Sequence, residues 1–317
     1  MSNTRRTFLQ SAALAAIPGA VPAPPQAQPP GAPGAAASVG GPLKPASEVQ
    51  VPKMKFGAVE ISRLVVGCNQ FYGYSHFNSL LGAIMKEYYT QERVCEVLHQ
   101  CNRFGINAHN WVDVPRARQD LERFQAEGGK MHLIVQGTGD PDEVCTALKP
   151  LAIYHHGEYT DREYHKGSLA SVKEWCKRAR QTGAKVGVGT HNPEVLAQVE
   201  HEGWDVDFYA GCVYNRTRTA EEWKKLLGGE LLEMQGDTYV QSDPPRMYRF
   251  MRQTGKPCFA FKIMAAGRID NRGADQAFRT AFESIKPIDG VFVGMFPRVR
   301  DEVRENAERV HRILAAS

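Results

Sequence analysis

From Val51 onward, short apolar runs alternate with stretches whose apolar residues recur at helical spacing. Strands are predicted at Leu64–Cys68, Ile106–Trp111, Met131–Gln136, Leu151–His155, Lys185–Gly189, Val206–Val213, Cys258–Met264 and Gly290–Val293. Helices are predicted at Gln91–Phe104, Arg116–Ala126, Pro141–Leu148, Ser168–Thr182, Pro193–Glu202, Pro244–Thr254, Ala274–Ile285 and Asp301–Leu314. In the first helix Val94, Val97, Leu98 and Cys101 form one stripe, and Gly105 ends it. Asn192 and Pro193 have the residue types of an N-cap and a first helical position. This uninterrupted strand–helix series predicts an α/β fold, a closed (β/α)8 TIM barrel. An open doubly wound sheet would carry a glycine-rich phosphate turn after its first strand. Here that turn reads VVGCNQFYGYSH, without a GxGxxG. Two long loops, Asn69–Thr90 and Arg216–Asp243, fall at the carboxyl ends of strands, where barrel active sites sit. Both are candidate lids or substrate walls.

The segment before the barrel has a different pattern. Arg5 and Arg6 precede Phe8, Leu9, an Ala-rich apolar stretch and small residues up to Ala27. Residues 1–27 therefore look like a twin-arginine export signal, which implies the Tat export machinery as partner and a periplasmic or extracellular location. Residues 28–50 are rich in Pro, Gly and Ala and read as a linker; 51–317 is the barrel. Tat export carries proteins already folded, and free nicotinamide cofactor is not recycled outside the cytoplasm.

The chain has 317 residues, 42% of them hydrophobic, enough for one large core. Its net charge of +4 comes from scattered basic residues, so nothing marks a nucleic-acid stripe. No apolar run is long enough for a membrane anchor. The seven cysteines form no CxxC pair and read as small buried hydrophobes. Cys95 and Cys101 lie on different faces of one predicted helix, so no bridge between them is expected.

Several ordered stretches resemble landmarks of the aldo-keto reductases: ISRLVVGC, FGINAHNW, IYHHG, VGVGTHNPEVL, VYN, FKIMAAGRI and GVFVGMFPRVRDEVREN. The resemblance runs from about Phe56 to Leu314 and implies the same barrel. It implies a catalytic Asp, Tyr, Lys and His, and the chain departs from three of them. Asn110 stands at the Asp position, Pro115 at the Tyr position and Gln136 at the Lys position; only the His is kept, as His156. Without that phenol and ammonium the family's proton transfer to a carbonyl fails. The resemblance places His191 and Asn192 against a nicotinamide amide and Gly211 where the family has Gln. Its 2′-phosphate Arg falls on Glu302, with Arg298 and Arg300 close by, and FKIMAAGRI places Lys262 where the family often has Lys.

Polar residues gather at the predicted strand ends: Asn69, His109, Asn110, Gln136, His155, His156, Glu158, His191 and Lys262. Neighbours on a strand face opposite sides, so one of His155 and His156 faces the lumen, and the resemblance favours His156; His109 and Asn110 pose the same choice. His109, His156, His191 and Glu158 are a candidate divalent-metal set, against a plain polar barrel mouth. Lys262 is a candidate Schiff-base amine or a phosphate-facing Lys. Tyr154 and Trp111 read as core or stacking surfaces, and His76, His132 and His165 as loop or surface residues.

Three functions follow, each with a small-molecule substrate. One is a divergent oxidoreductase using NAD(P) on a carbonyl or sugar-like compound, with His156 polarising the carbonyl. Another is a non-redox isomerase, lyase or hydrolase on a carbohydrate-like molecule, with His109, His156 and His191 in acid–base or metal roles. The third is an exported binding protein without chemistry.

Overall fold

The computed structural model describes residues 48–229 and 237–315. Packing begins at the buried Val49, just inside the stretch expected to be linker. The export segment and the linker up to residue 47 lie outside the described residues.

Two short strands come first, β1 (Lys53–Phe56) and β2 (Val59–Ser62), paired antiparallel around Gly57. Met54 and Phe56 alternate with exposed Lys53 and Lys55, so one face of this hairpin is apolar. The parallel strands are β3 (Leu64–Val66), β4 (Ala108–Val112), β5 (His132–Gly137), β6 (Ala152–His155), β7 (Lys185–Thr190), β8 (Phe208–Cys212), β9 (Cys258–Phe261) and β10 (Gly290–Val293). They form a closed barrel in chain order, with β10 returning to β3. The (β/α)8 TIM barrel is therefore the fold.

The described helices are α1 (Ser79–Tyr88), α2 (Gln91–Arg103), α3 (Pro115–Ala126), α4 (Pro141–Leu148), α5 (Gly157–His165), α6 (Leu169–Gln181), α7 (Pro193–His201), α8 (Ala220–Leu227), α9 (Pro244–Gln253), α10 (Asn271–Ser284) and α11 (Glu302–Ala315). None of them is long and apolar enough to cross a membrane. All seven cysteines are buried and unpaired.

Alternation along the strands separates two cores. Val65, Ala108, Ile134, Ala152, Tyr154, Phe208 and Phe259 fill the lumen, while Leu64, Val66, Trp111, Val135 and Ile153 pack against the helices. The lumen rings are large, and glycines make room for them. A Cβ on Gly187 would come within 2.6 Å of the Phe208 ring, and one on Gly189 within 2.9 Å of the Tyr154 ring. The hairpin closes the amino-terminal end: Phe56 meets Phe208 and Phe259 edge-on, with centroids 5.3 and 5.5 Å apart.

All eight predicted strands are present, with trimmed ends. The strand expected to reach Met264 stops at Phe261, because Lys262 has a left-handed backbone (φ 60°). The hairpin, α1, α5 and α8 were not anticipated. α5 has a helical stripe of burial at Gly157, Thr160 and Asp161, but two of those residues are polar, so no apolar periodicity marks it.

Phe56→Ala removes the ring that plugs the barrel floor. We expect a loss of about 3–5 kcal/mol in a urea titration. A loss below about 1 kcal/mol would mean that the hairpin does not support the barrel.

Candidate functional site

At the carboxyl end of β7, Thr190 and His191 lie against α5. The approach is close: a Cβ on Gly157 would sit 3.1 Å from the Thr190 amide nitrogen and 3.3 Å from the His191 ring. From α5, Asp161 points into this contact with no exposed surface. Its carboxylate accepts four hydrogen bonds. Thr190 donates through its hydroxyl, His191 through its backbone N–H at 2.9 Å and its Nδ1 at 2.8 Å, and Thr217 through its hydroxyl at 3.1 Å. Burial pushes the Asp161 carboxyl up to about 6, against the pull of these donors, so it is ionised at neutral pH. A carboxylate can only accept, so Nδ1 of His191 carries the proton and Nε2 keeps its lone pair. Burial, then the charges of Lys262 and Arg216, hold His191 well below the usual imidazole value. The result is a neutral, oriented imidazole beside a buried carboxylate.

Arg216 faces that lone pair, with Nη1 3.5 Å from His191 Nε2. Its Nη2 donates to Asp237 at 2.7 Å, and its Nε is buried without a partner. Asp237 also takes His76 Nδ1 at 2.8 Å. Burial raises the Asp237 carboxyl, but the bonds from His76 and Arg216 prevail and hold it well below the carboxylate range. His76, expected to be a plain loop residue, is thus part of the mouth. Lys262 stands at the end of β9, half-buried, with Nζ 5.6 Å from the Phe261 ring centroid. Burial, helped by Arg216, brings its ammonium down to about 8.

His156 follows β6 as the N-cap residue of α5, edge-on to Tyr159 at 5.6 Å. Its Nδ1 is buried without a hydrogen-bond partner. Burial, then Lys262 and Arg216, outweighs Glu158 and lowers it to about 4. His155 takes the other side, with Nδ1 2.7 Å from Thr160 Oγ1 and its ring against Trp175 of α6. The choice of His156 as the inward-facing imidazole agrees with this geometry.

Deeper in the lumen, the Tyr154 hydroxyl donates to Asn110 Oδ1 at 2.9 Å, with Gln136 Oε1 3.3 Å away. Gln136 Nε2 in turn reaches Cys68 Sγ at 3.3 Å. Burial pushes the Tyr154 phenol well above its ordinary value.

The expected metal set does not converge. His109 alternates with the lumen residue Ala108, and its Nδ1 lies 2.9 Å from the Val66 carbonyl with its ring against Phe71 of the outer core. Glu158 is exposed and pairs with Arg216 at 3.4 Å. No group of three or more His, Cys, Asp or Glu among the described residues is placed to hold a metal ion.

The expected cofactor residues are also dispersed. Asn192 caps α7 through Oδ1 to the Glu194 N–H at 3.2 Å. Arg298 and Arg300 are exposed on the turn before α11, and Arg300 pairs with Glu305 at 2.8 Å. There Glu302 accepts the Phe296 N–H at 2.7 Å.

Asp161, Arg216, Asp237 and His76 are the site residues that sequence reasoning missed. A depression of about 440 Å³, lined by Glu158, Tyr159, Arg162, His165, Lys166, Thr217 and Thr219, borders the mouth.

No family model matches the chain, and no curated protein matches it. Among solved structures, it is similar to a truncated form of 3-deoxy-D-arabino-heptulosonate 7-phosphate synthase from Thermotoga maritima. That match has a TM-score of 0.48 and 12% identity, and covers 84% of this chain and 92% of the other. A phospho-2-dehydro-3-deoxyheptonate aldolase (DAHP synthase) from Thermotoga maritima matches with a TM-score of 0.46 and 12% identity, over 84% of this chain and 73% of that one. An uncharacterized B. cereus protein gives 0.43 and 10%, over 78% and 64%. Matches this distant carry no argument about activity.

The buried imidazoles predict an acid limit to stability. His109 and His155 are both lowered to about 4, chiefly by burial. Their contribution is complete above the ordinary imidazole value and is lost as pH falls from about 6.5 towards 4. Each adds a slope of up to about 1.4 kcal/mol per pH unit in that window. His109→Gln should flatten the fall by one such slope when urea stability is compared at pH 7 and pH 5. An unchanged slope would place a protonated imidazole at this site.

Proposed function

We propose that the barrel mouth carries out a non-redox reaction, isomerase- or lyase-like, on a small carbohydrate-like carbonyl compound. The observation that carries this reading is the Asp161–His191 pair. The buried carboxylate fixes the His191 tautomer, and the Nε2 lone pair, which faces Arg216 Nη1 at 3.5 Å, is the candidate proton acceptor. His156, also neutral, and the cations of Lys262 and Arg216 supply partners for negative charge that develops on a carbonyl oxygen. This chemistry needs no diffusible reductant. It therefore suits the periplasmic or extracellular location that the Arg5–Arg6 segment supports.

A divergent oxidoreductase is the second reading. Ala265, Ala266 and Gly267 occupy the positions where the aldo-keto reductase resemblance has consecutive glycines, and all three have left-handed backbone (φ 48°, 52° and 89°). That agreement favours the resemblance. The engaged states of Asn192, Arg300 and Glu302 count against the cofactor, as does the raised Tyr154 phenol.

The two readings separate in a deuterium wash-in experiment. The purified barrel is incubated in D2O with a panel of aldoses, ketoses, sugar acids and sugar phosphates, without nucleotide, and read by NMR. We expect exchange at a carbon next to a carbonyl, reduced about 10²–10⁴-fold in His191→Ala. Turnover that appears only with NAD(P)H would overturn the proposal in favour of the oxidoreductase.

A further inference from the structure

Two buried polar atoms at the mouth lack the partners that buried polar groups normally have. Arg216 Nε and His156 Nδ1 are buried and unpaired. No described residue accepts a hydrogen bond from Lys262 Nζ; its recorded neighbour is the Phe261 ring. The three side chains lie within electrostatic reach of one another, since the charges of Lys262 and Arg216 both act on His156. Asp237 pairs with Arg216 through Nη2 and with His76, which leaves Arg216 Nε without a partner. Lys262 also holds a left-handed backbone, unfavourable for a residue with a Cβ, immediately after the last residue of β9.

Building on the proposed non-redox reaction, we infer that Lys262 is an imine-forming amine and that Arg216 and His156 hold an acidic group, carboxylate or phosphate, on the same substrate.

The chemistry closes without an oxidant or reductant. Neutral Lys262 Nζ adds to the carbonyl carbon; a C–N bond forms, the nitrogen loses one proton and the oxygen gains one. The carbinolamine hydroxyl takes up a second proton and leaves as water, breaking the C–O bond, while the nitrogen lone pair forms the iminium. His191 Nε2 then accepts the proton from the adjacent carbon; that electron pair forms a C=C bond and the C=N pair moves onto nitrogen, giving an enamine. Reprotonation and hydrolysis return product and free lysine. Burial, helped by Arg216, lowers the Lys262 ammonium so that neutral amine is present near neutral pH, and Arg216 also attracts an anionic substrate.

The test uses pyridoxal 5′-phosphate, an aldehyde that carries an anion, with borohydride reduction and peptide mass spectrometry on the unmodified protein. We expect label concentrated on Lys262 and at least tenfold less label with phosphate-free pyridoxal. Pyruvate or inorganic phosphate should protect. Protection by pyruvate alone would identify a carboxylate subsite, and protection by phosphate alone a phosphate subsite. Label spread over surface lysines with Lys262 unmodified would overturn the amine assignment. Equal labelling by both aldehydes, with protection by neither anion, would overturn the acidic subsite. Arg216→Met, checked for native unfolding behaviour, should lower labelling by the phosphate aldehyde several-fold more than labelling by pyridoxal. Deuterium wash-in that persists while Lys262 stays unlabelled would remove this inference and leave the proposed function standing.

Discussion

A carboxylate with no exposed surface ionises only if donors replace the water it has lost. Asp161 is such a group, and the arrangement of the barrel mouth follows from its need. Thr190 and His191 at the end of β7 and Thr217 in the loop after β8 are drawn to it. Thr217 is followed back by Arg216, which takes Asp237; Asp237 takes His76 from the loop after β3. One buried charge on α5 thus organises residues from across the top of the barrel. Each link is a charged or charge-assisted hydrogen bond, stronger than a neutral one.

The same constraint sets the proton inventory. Burial first, then the cations Lys262 and Arg216, lower His156 and His191, outweighing Glu158 at His156, and both imidazoles stay neutral. A site of neutral bases and fixed cations is suited to moving a proton while stabilising an oxyanion. It contrasts with the lumen beneath, where Tyr154 donates to Asn110 and no ammonium lowers its phenol. The polar centre therefore lies towards β7 and β9.

The barrel was legible because its strands are continuous apolar runs and its outer helices carry apolar stripes, as in β6 and α2. Strand alternation plus the resemblance was enough to separate His156 from His155. The same alternation left His109 open, and its placement in the metal set was wrong, because it packs outward on Phe71. The floor hairpin was missed because each strand has four residues, too short for a pattern to stand out. Asp161 was missed for a more instructive reason. The buried stripe of α5 includes Thr160 and Asp161, so a helix that faces the core reads in sequence as a polar loop. Arg216 and Asp237 meet only through tertiary folding of a long connection, which no local pattern encodes.

The central claim is that Asp161 fixes the His191 proton on Nδ1 while burial and the charges of Lys262 and Arg216 keep the ring neutral, with the Nε2 lone pair facing Arg216. Nitrogen-15 NMR of the histidine-labelled protein reads this directly, with His191→Gln identifying the resonance. The account predicts a single Nδ1–H tautomer at neutral pH that remains neutral as pH falls below 6.5, the ordinary imidazole value. A proton on Nε2, or a doubly protonated ring at pH 7, would contradict it.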